Sequence, residues 1–188
     1  MKRICFLIAS LLPLLILLAS KNVQWAAGQS TVTIEPAPYL LEGLDAKEAL
    51  ALANRWKEGK SDVESFITTE HIEFNFTDGD RVTINLPEDR MVVAIAPYKL
   101  KTHTCEVHYV SGCQGELINF PLKVTARKLN GTVLIEKNMQ TMSNGFIELW
   151  LPKDLEIRLT IDSHKGRSEG IIKTFSDSNT CITTFQLS

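Results

Sequence analysis

One segment near the start of the chain has hydrophobic residues at a helical period. Its apolar residues lie on one helical face: Leu44, Ala49, Leu52, Ala53 and Trp56. This spacing predicts a helix over residues 46–57. Asp45 and Glu48 have the spacing of a capping box at its beginning, and Gly59 is a typical helix end. A second short helical turn is compatible with residues 61–66.

After residue 70 the hydrophobic period changes to two, which is typical of strands with one buried face. The alternating segments 72–76 and 82–86 flank the turn sequence Asp78-Gly79-Asp80, so they predict a hairpin. Residues 91–96 are uniformly apolar and are followed by Pro97, which predicts a short buried strand. Together these elements predict a small N-terminal α+β unit, residues 29–98, whose hairpin packs against the helix.

Beyond residue 99 nearly every predicted element is a strand. Turn residues such as Asn130-Gly131 and Asn144-Gly145 separate segments of alternating or continuous apolar residues. The predicted strands are 120–128, 133–136, 146–151, 155–161, 171–175 and 181–187. Short strands at this spacing are typical of a β-sandwich. We therefore predict an α+β, mostly β fold, in which the helix-plus-hairpin unit packs on a C-terminal β-sandwich-like domain, residues 99–188.

The amino terminus has the pattern of a secretory signal peptide. Lys2 and Arg3 precede an apolar segment, residues 4–19, which is shorter than the roughly 20 residues of a membrane-spanning helix. Small residues at 26–28 favour cleavage after Gly28, so residues 1–28 are predicted to be a signal peptide. Cys5 lies too early to be a lipid acceptor. The mature chain is therefore expected to be exported, not lipidated and not in a membrane.

Removing this segment changes the charge balance of the chain. The 188 residues carry a net charge of −2, but three of the 20 Lys and Arg residues precede position 29, and none of the 22 Asp and Glu residues does. The remaining chain therefore has a net charge of −5. Nucleic acid is an improbable partner for an acidic domain, because binding requires basic side chains that neutralise phosphates.

The same cleavage leaves an odd number of cysteines: Cys105, Cys113 and Cys181. Three thiols cannot all pair within one chain, although cysteines of exported proteins usually form disulfides. At least one thiol is therefore free, pairs between two chains as in a homodimer, or binds a metal. Two histidines, His103 and His108, lie close to the first cysteine in the sequence. If residues 103–110 form a strand, His103 and Cys105 share a face and His108 lies on the other.

Two conditions must hold if the cysteines are to meet. The chain must reverse at Ser111-Gly112, and the last strand must run beside residues 103–117. Three convergent thiolates suit Cu(I), which accepts two or three ligands, whereas zinc in a structural site takes four and would need a histidine. The spacing equally permits a Cys105–Cys113 disulfide with Cys181 buried.

Two other function classes stay open at this point. One is a thiol–disulfide redox protein that uses Cys105 and Cys113. The other is a partner-binding β-sandwich module in which the cysteines are structural. The sequence contains no nucleophile elbow, Walker loop, HExxH motif, CxxC motif or dinucleotide-binding glycine pattern. No catalytic residue is therefore predicted.

Two segments resemble the CueP family of exported bacterial copper-binding, copper-resistance proteins. They are Cys105-Glu106-Val107-His108-Tyr109-Val110-Ser111-Gly112-Cys113-Gln114-Gly115-Glu116-Leu117 and Thr180-Cys181-Ile182-Thr183-Thr184. The likeness extends from about residue 33 to the end of the chain. The resemblance implies that Cys105, Cys113 and Cys181 are metal ligands and that His103 belongs to the same neighbourhood.

The resemblance also implies a location and a role. A member of this family is expected in the periplasm, where it stores copper as Cu(I) and contributes to copper resistance; zinc is an alternative ion. Delivery of copper to a copper-dependent superoxide dismutase and thiol-assisted reduction of Cu(II) are associated with the family. The expected role is that of a binding protein or chaperone rather than an enzyme.

Overall fold

The computed structural model describes residues 35–188, so the predicted signal peptide lies outside the described residues. A short 3₁₀ helix, Pro38–Leu41, precedes α1, Ala46–Glu58. The Asp45 carboxylate accepts hydrogen bonds from the N–H groups of Lys47 and Glu48, and the Glu48 carboxylate accepts one from the Asp45 N–H. The predicted helix and its capping box are confirmed. Within residues 35–188, no helix combines the length and apolar composition needed to cross a membrane.

The first sheet packs against α1 and contains four antiparallel strands. These are β1 (Glu64–Ile67), β2 (His71–Asn75), β3 (Arg81–Asn85) and β5 (His108–Tyr109), in the order β3-β2-β1-β5. The β2–β3 hairpin is confirmed, and Trp56 of α1 meets Phe74 and Phe76 edge-on. The helical turn predicted for residues 61–66 is wrong, because residues 64–67 pair with β2 on one side and β5 on the other.

The second sheet contains four long antiparallel strands from the C-terminal half of the chain. These are β6 (Pro121–Lys128), β7 (Val133–Gln140), β9 (Glu156–Ser163) and β10 (Gly166–Lys173), in the order β10-β9-β6-β7. Alternate residues of β6 and β9 enter the largest hydrophobic core of the molecule. The same core receives alternate residues of a third sheet on its other side. This is the predicted sandwich-like arrangement, and the α+β, mostly β fold class is confirmed.

The third sheet contains three strands and reaches every hydrophobic cluster of the described chain. Its central strand is β4 (Arg90–Ile95), which pairs antiparallel with β8 (Ile147–Pro152) and parallel with β11 (Cys181–Ile182). Met91, Val93 and Ile95 enter the largest core, whereas Val92 joins the cluster around α1 and Ala94 contacts the cysteines. Strands from both sides of residue 98 therefore form one sheet. The division into units 29–98 and 99–188 stays a prediction.

Candidate metal centre

The segment that carries His103 and Cys105 has no regular secondary structure before β5. The strand considered for residues 103–110 is therefore reduced to His108 and Tyr109. The Glu116 carboxylate accepts hydrogen bonds from three consecutive N–H groups at the start of the segment, those of Lys99, Leu100 and Lys101, at 2.7, 2.9 and 3.1 Å. Contacts to distant parts of the chain, rather than a strand ladder, determine its path.

A tight turn brings Cys113 back to Cys105. The Tyr109 carbonyl accepts hydrogen bonds from the N–H groups of Gly112 and Cys113, at 3.1 and 2.8 Å. The reversal predicted at Ser111-Gly112 is confirmed. It places the Sγ atoms of Cys105 and Cys113 3.4 Å apart, with all three described cysteines present as free thiols.

The C-terminal segment brings Cys181 to the same place. Cys181 lies opposite Ala94 in the parallel β11–β4 pair, and the Glu106 carbonyl accepts hydrogen bonds from the N–H groups of Thr180 and Cys181. The buried Thr180 hydroxyl accepts from the His108 N–H and donates to the Ile67 carbonyl. The C-terminal segment thus runs beside residues 103–117, as the second condition required, although its regular strand is only two residues long.

The potential ligands form two groups that share Cys113. The outer group contains His103, Cys105 and Cys113, and the inner group contains His108, Cys113 and Cys181; within each group the ligand atoms lie within 4.8 Å of one another. His103 is exposed, whereas His108 and Cys181 are buried. Each of the four residues predicted from the sequence therefore lies in one of these groups. Such sets of sulfur and imidazole nitrogen suit soft and borderline metal ions.

His108 is the imidazole of the inner group. Its side chain is fully buried, and neither ring nitrogen has a hydrogen-bond partner in the described part of the chain. The ring packs on Phe146 with 4.6 Å between centroids. Leaving both nitrogens of a buried imidazole unpaired is costly, so this side chain is suited to accept a ligand that the protein itself does not provide.

Comparison with known proteins identifies the family of this chain. A family model described as periplasmic copper-binding protein CueP matches residues 49–186. This chain belongs to the CueP family. A crystal structure described as that of S.CueP is 30% identical to it, with a TM-score of 0.74, over 80% of this chain and 92% of that chain. No curated protein matches the chain.

Membership in the CueP family makes the chain a periplasmic copper-binding protein. The family and the structural similarity support copper binding and a periplasmic location. The two groups of cysteine and histidine side chains could hold a metal ion. In the described residues of this chain, Cys105, Cys113 and Cys181 form no disulfide.

The sequence did not reveal two further residues that adjoin the inner ligand group. Glu148 on β8 places its Oε1 atom 3.9 Å from the His108 Nε2 atom. Asn54 on α1 donates from its Nδ2 atom to both carboxylate oxygens of Glu148, at 3.0 and 3.1 Å. No sequence signal joins positions 54, 108 and 148, because only the packing of α1 against the third sheet brings them together.

Hydrogen bonds and burial give the three thiols different acidities. The hydrogen bond from Cys181 is the largest cause that lowers the pKa of Cys113, to about 3, and the neighbouring His108 imidazole lowers it further, against the effect of burial. Burial raises the pKa of Cys105 to about 11. The pKa of Cys181 is raised by its hydrogen bond to Cys113 and by burial. Cys113 is therefore the thiolate of the metal-free centre.

Proposed function

We propose that the exported chain, after removal of residues 1–28, binds Cu(I) through the thiolates of Cys105, Cys113 and Cys181. The observation that carries this proposal is the convergence of the other two cysteines on Cys113. One sulfur lies 3.4 Å from its Sγ atom, and the other within 4.8 Å. Cu(I) accepts two or three soft ligands, so three thiolates complete its coordination. Periplasmic sequestration of Cu(I) in this form would contribute to copper resistance.

The outer group is the proposed entry point for the ion. His103 is exposed and its ligand atom lies within 4.8 Å of the sulfurs of Cys105 and Cys113. Imidazole binds Cu(II), whereas thiolates select Cu(I). His103 would therefore capture copper from solvent or tune the site, and the more buried sulfur of Cys181 would complete the Cu(I) site. Zinc takes four ligands, and a histidine would supply the fourth beside the three thiolates.

The same sulfurs provide a route for reduction of Cu(II). Oxidation of the Cys105 thiol and the Cys113 thiolate to one disulfide releases one proton and two electrons, which reduce two Cu(II) ions to Cu(I). The sulfurs are already 3.4 Å apart, and a disulfide needs a separation of about 2 Å. Because the disulfide consumes two of the three ligands, storage of Cu(I) afterwards requires a dithiol reductant that regenerates the thiols.

Delivery of copper to a periplasmic copper-dependent superoxide dismutase is the proposed onward step. Cys113 lies in both groups, so an ion held by the three thiolates stays next to the exposed side of the centre. A recipient protein could therefore approach Cys105 and Cys113 without unfolding the donor. A homodimer is compatible with this role if the open side of the centre stays accessible.

A thiol–disulfide redox protein is the second candidate function. The contact between Cys105 and Cys113 and the low pKa of Cys113 favour it, since a stabilised thiolate beside a second thiol is typical of redox pairs. Thiol counting on protein purified from the periplasm separates the two candidates. The redox function predicts one free thiol and a stable disulfide, whereas Cu(I) storage predicts three free thiols after removal of the metal.

Anaerobic titration of the reduced protein against a Cu(I) chelator tests the proposed function. Cys113→Ser should weaken binding by more than the roughly 10–100-fold that loss of an outer-shell partner costs. Met142→Leu is the matched control, because Met142 packs against the cysteine cluster with a sulfur that belongs to neither ligand group. Wild-type affinity in Cys113→Ser would refute the proposal.

A further inference from the structure

We propose that Glu148 is a positioning residue that fixes the orientation and the tautomer of His108, so that the imidazole offers its Nδ1 atom to a four-coordinate divalent metal. This inference rests on the proposed metal site, because it assigns a task to the inner ligand group. It concerns the divalent state of the site rather than the three-thiolate Cu(I) state.

The Glu148 carboxylate lies beside the His108 ring. Glu148 faces Nε2 of the buried His108 ring, at 3.9 Å from its Oε1 atom, which leaves Nδ1 as the other nitrogen. A contraction of about 1 Å would convert this approach into an N–H···O hydrogen bond. Histidines that bind metals commonly donate their second ring N–H to a carboxylate, which selects one tautomer and holds the ring in place.

Glu148 is itself held in place by hydrogen bonds from α1. Both oxygens of its carboxylate accept hydrogen bonds from the Asn54 amide, at 3.0 and 3.1 Å. Asn54 also donates to the Leu50 carbonyl within its own helix, at 3.1 Å. The Ala94 residue that lies opposite Glu148 on β4 contacts the cysteine cluster. The carboxylate therefore lies on a rigid element, with one helix and one strand to orient it.

A carboxylate at the buried position of Glu148 costs free energy. In the part of the chain that the structure describes, no lysine or arginine pairs with Glu148, and the basic side chain that faces it is His108. A buried carboxylate without a cation is unfavourable. Anchoring α1 to β8 would need only a neutral acceptor for Asn54. A group that faces a metal-ligating imidazole, however, is more effective as a carboxylate.

Zinc titration and NMR spectroscopy test this role directly. In the zinc-loaded protein, ¹⁵N shifts of labelled histidine should show His108 protonated at Nε2 and bound through Nδ1. Glu148→Met should weaken zinc binding roughly 10–100-fold and change the His108 tautomer. Glu148→Gln, which keeps an acceptor oxygen but loses the charge, should retain the tautomer and lose less zinc affinity than Glu148→Met. The three-thiolate Cu(I) affinity should change much less.

A matched control exists in the first sheet. Glu73 lies 3.8 Å from the His71 Nε2 atom, at nearly the same separation, but neither residue belongs to a ligand group. Glu73→Gln should leave zinc affinity and the His108 shifts unchanged. If Glu148→Met does not fold, Asn54→Ala replaces it, since this variant frees the carboxylate while alanine keeps the helix. Asn54→Ala should also lower zinc affinity and alter the His108 shifts.

The possible outcomes separate this inference from the proposed function. Wild-type zinc affinity and unchanged His108 shifts in Glu148→Met, or in Asn54→Ala where it replaces that variant, would overturn the positioning role and leave Cu(I) binding intact. Absence of zinc binding by the wild-type protein would also overturn it. A Cu(I) affinity of Cys113→Ser equal to that of the wild-type protein would instead refute the proposed function.

Discussion

Gly115 and Gly145 pack backbone against backbone immediately after the turn that carries Cys113. The Gly115 N–H donates to the Asn144 carbonyl at 2.7 Å. A Cβ atom on Gly115 would lie 2.8 Å from the Gly145 carbonyl oxygen, and one on Gly145 would lie 2.7 Å from the Gly115 carbonyl carbon. These two turns therefore meet beside the cluster that contains Phe146 and Cys113.

Gly115→Ala should therefore disturb both stability and the metal centre. We expect a loss of about 1–3 kcal/mol in the free energy of unfolding, because backbone atoms rather than flexible side chains must move. Copper affinity should fall as well, since the displaced turn carries Cys113. Chemical denaturation and competitive Cu(I) titration measure the two effects.

Gly131→Ala is the matched control for backbone strain. Gly131 has a φ of +90°, but a Cβ there would meet no atom within 4 Å. Alanine at Gly131 should cost about 1 kcal/mol through its left-handed conformation alone, and Cu(I) affinity should stay at the wild-type value. An equal loss of Cu(I) affinity in both variants would contradict a specific role for the Gly115–Gly145 contact.

The acidity of Cys113 predicts selective alkylation of the metal-free protein. The pKa of about 3 keeps Cys113 a thiolate at about pH 5, whereas Cys105, with a pKa of about 11, is protonated there. Iodoacetamide should therefore modify Cys113 first, at a rate that barely changes between pH 5 and pH 7. Peptide mass spectrometry after timed quenching measures the order of modification.

The low pKa of Cys113 depends on Cys181. Cys181→Ala removes the hydrogen bond that contributes most to the low pKa of Cys113. The variant should therefore need a higher pH for rapid alkylation of Cys113. Equal labelling of all three thiols, with rates that rise about tenfold per pH unit in the wild-type protein, would show that Cys113 is not the stabilised thiolate.

The Glu116 carboxylate predicts a pH-dependent contribution to stability. Burial alone would raise its pKa, but the N–H groups of Leu100, Lys101 and Lys99 together lower the pKa below the ordinary value of 4.5. A lowered folded-state pKa stabilises the protein above the ordinary value, and the contribution disappears as the pH falls through the lowered one. Glu116→Gln should therefore destabilise the protein by on the order of 1 kcal/mol at neutral pH and by less in acid.

Thermal unfolding at a series of pH values tests this expectation. Glu88→Gln is the control, because Glu88 is an exposed residue on the turn before β4. A stability difference between Glu116→Gln and the wild-type protein that grows as the pH falls would contradict the assigned hydrogen bonds.

Local signals account for the parts of the fold that could be predicted. The capping box of α1 and the Asp78-Gly79-Asp80 turn act within a few residues, so their elements follow from the sequence. The strand predicted over residues 181–187 is wrong beyond Ile182, and the path of residues 101–107 did not follow from the sequence either. Their paths depend on partners far along the chain, such as the hydrogen bond from the Thr102 hydroxyl to the Thr183 carbonyl.

The same distinction applies to the metal centre. The odd number of cysteines predicted only that at least one thiol is free, pairs between chains or binds a metal, because pairing is a matter of counting. The set of three cysteine ligands came from the resemblance to the CueP family. The face assigned to His108 depended on a long strand, and the irregular path of residues 103–107 instead brings His103 and His108 to two sides of Cys113. Asn54 and Glu148 are 94 residues apart, and their contact arises only when α1 meets β8.

X-ray absorption at the copper edge tests the central claim most directly. The reduced protein, loaded anaerobically with one equivalent of Cu(I), should show a monovalent edge and a first shell of three sulfur atoms. Each of Cys105→Ser, Cys113→Ser and Cys181→Ser should lose one sulfur from that shell, whereas Met142→Leu should lose none. A wild-type shell made mainly of nitrogen or oxygen atoms would contradict binding of Cu(I) by the three thiolates.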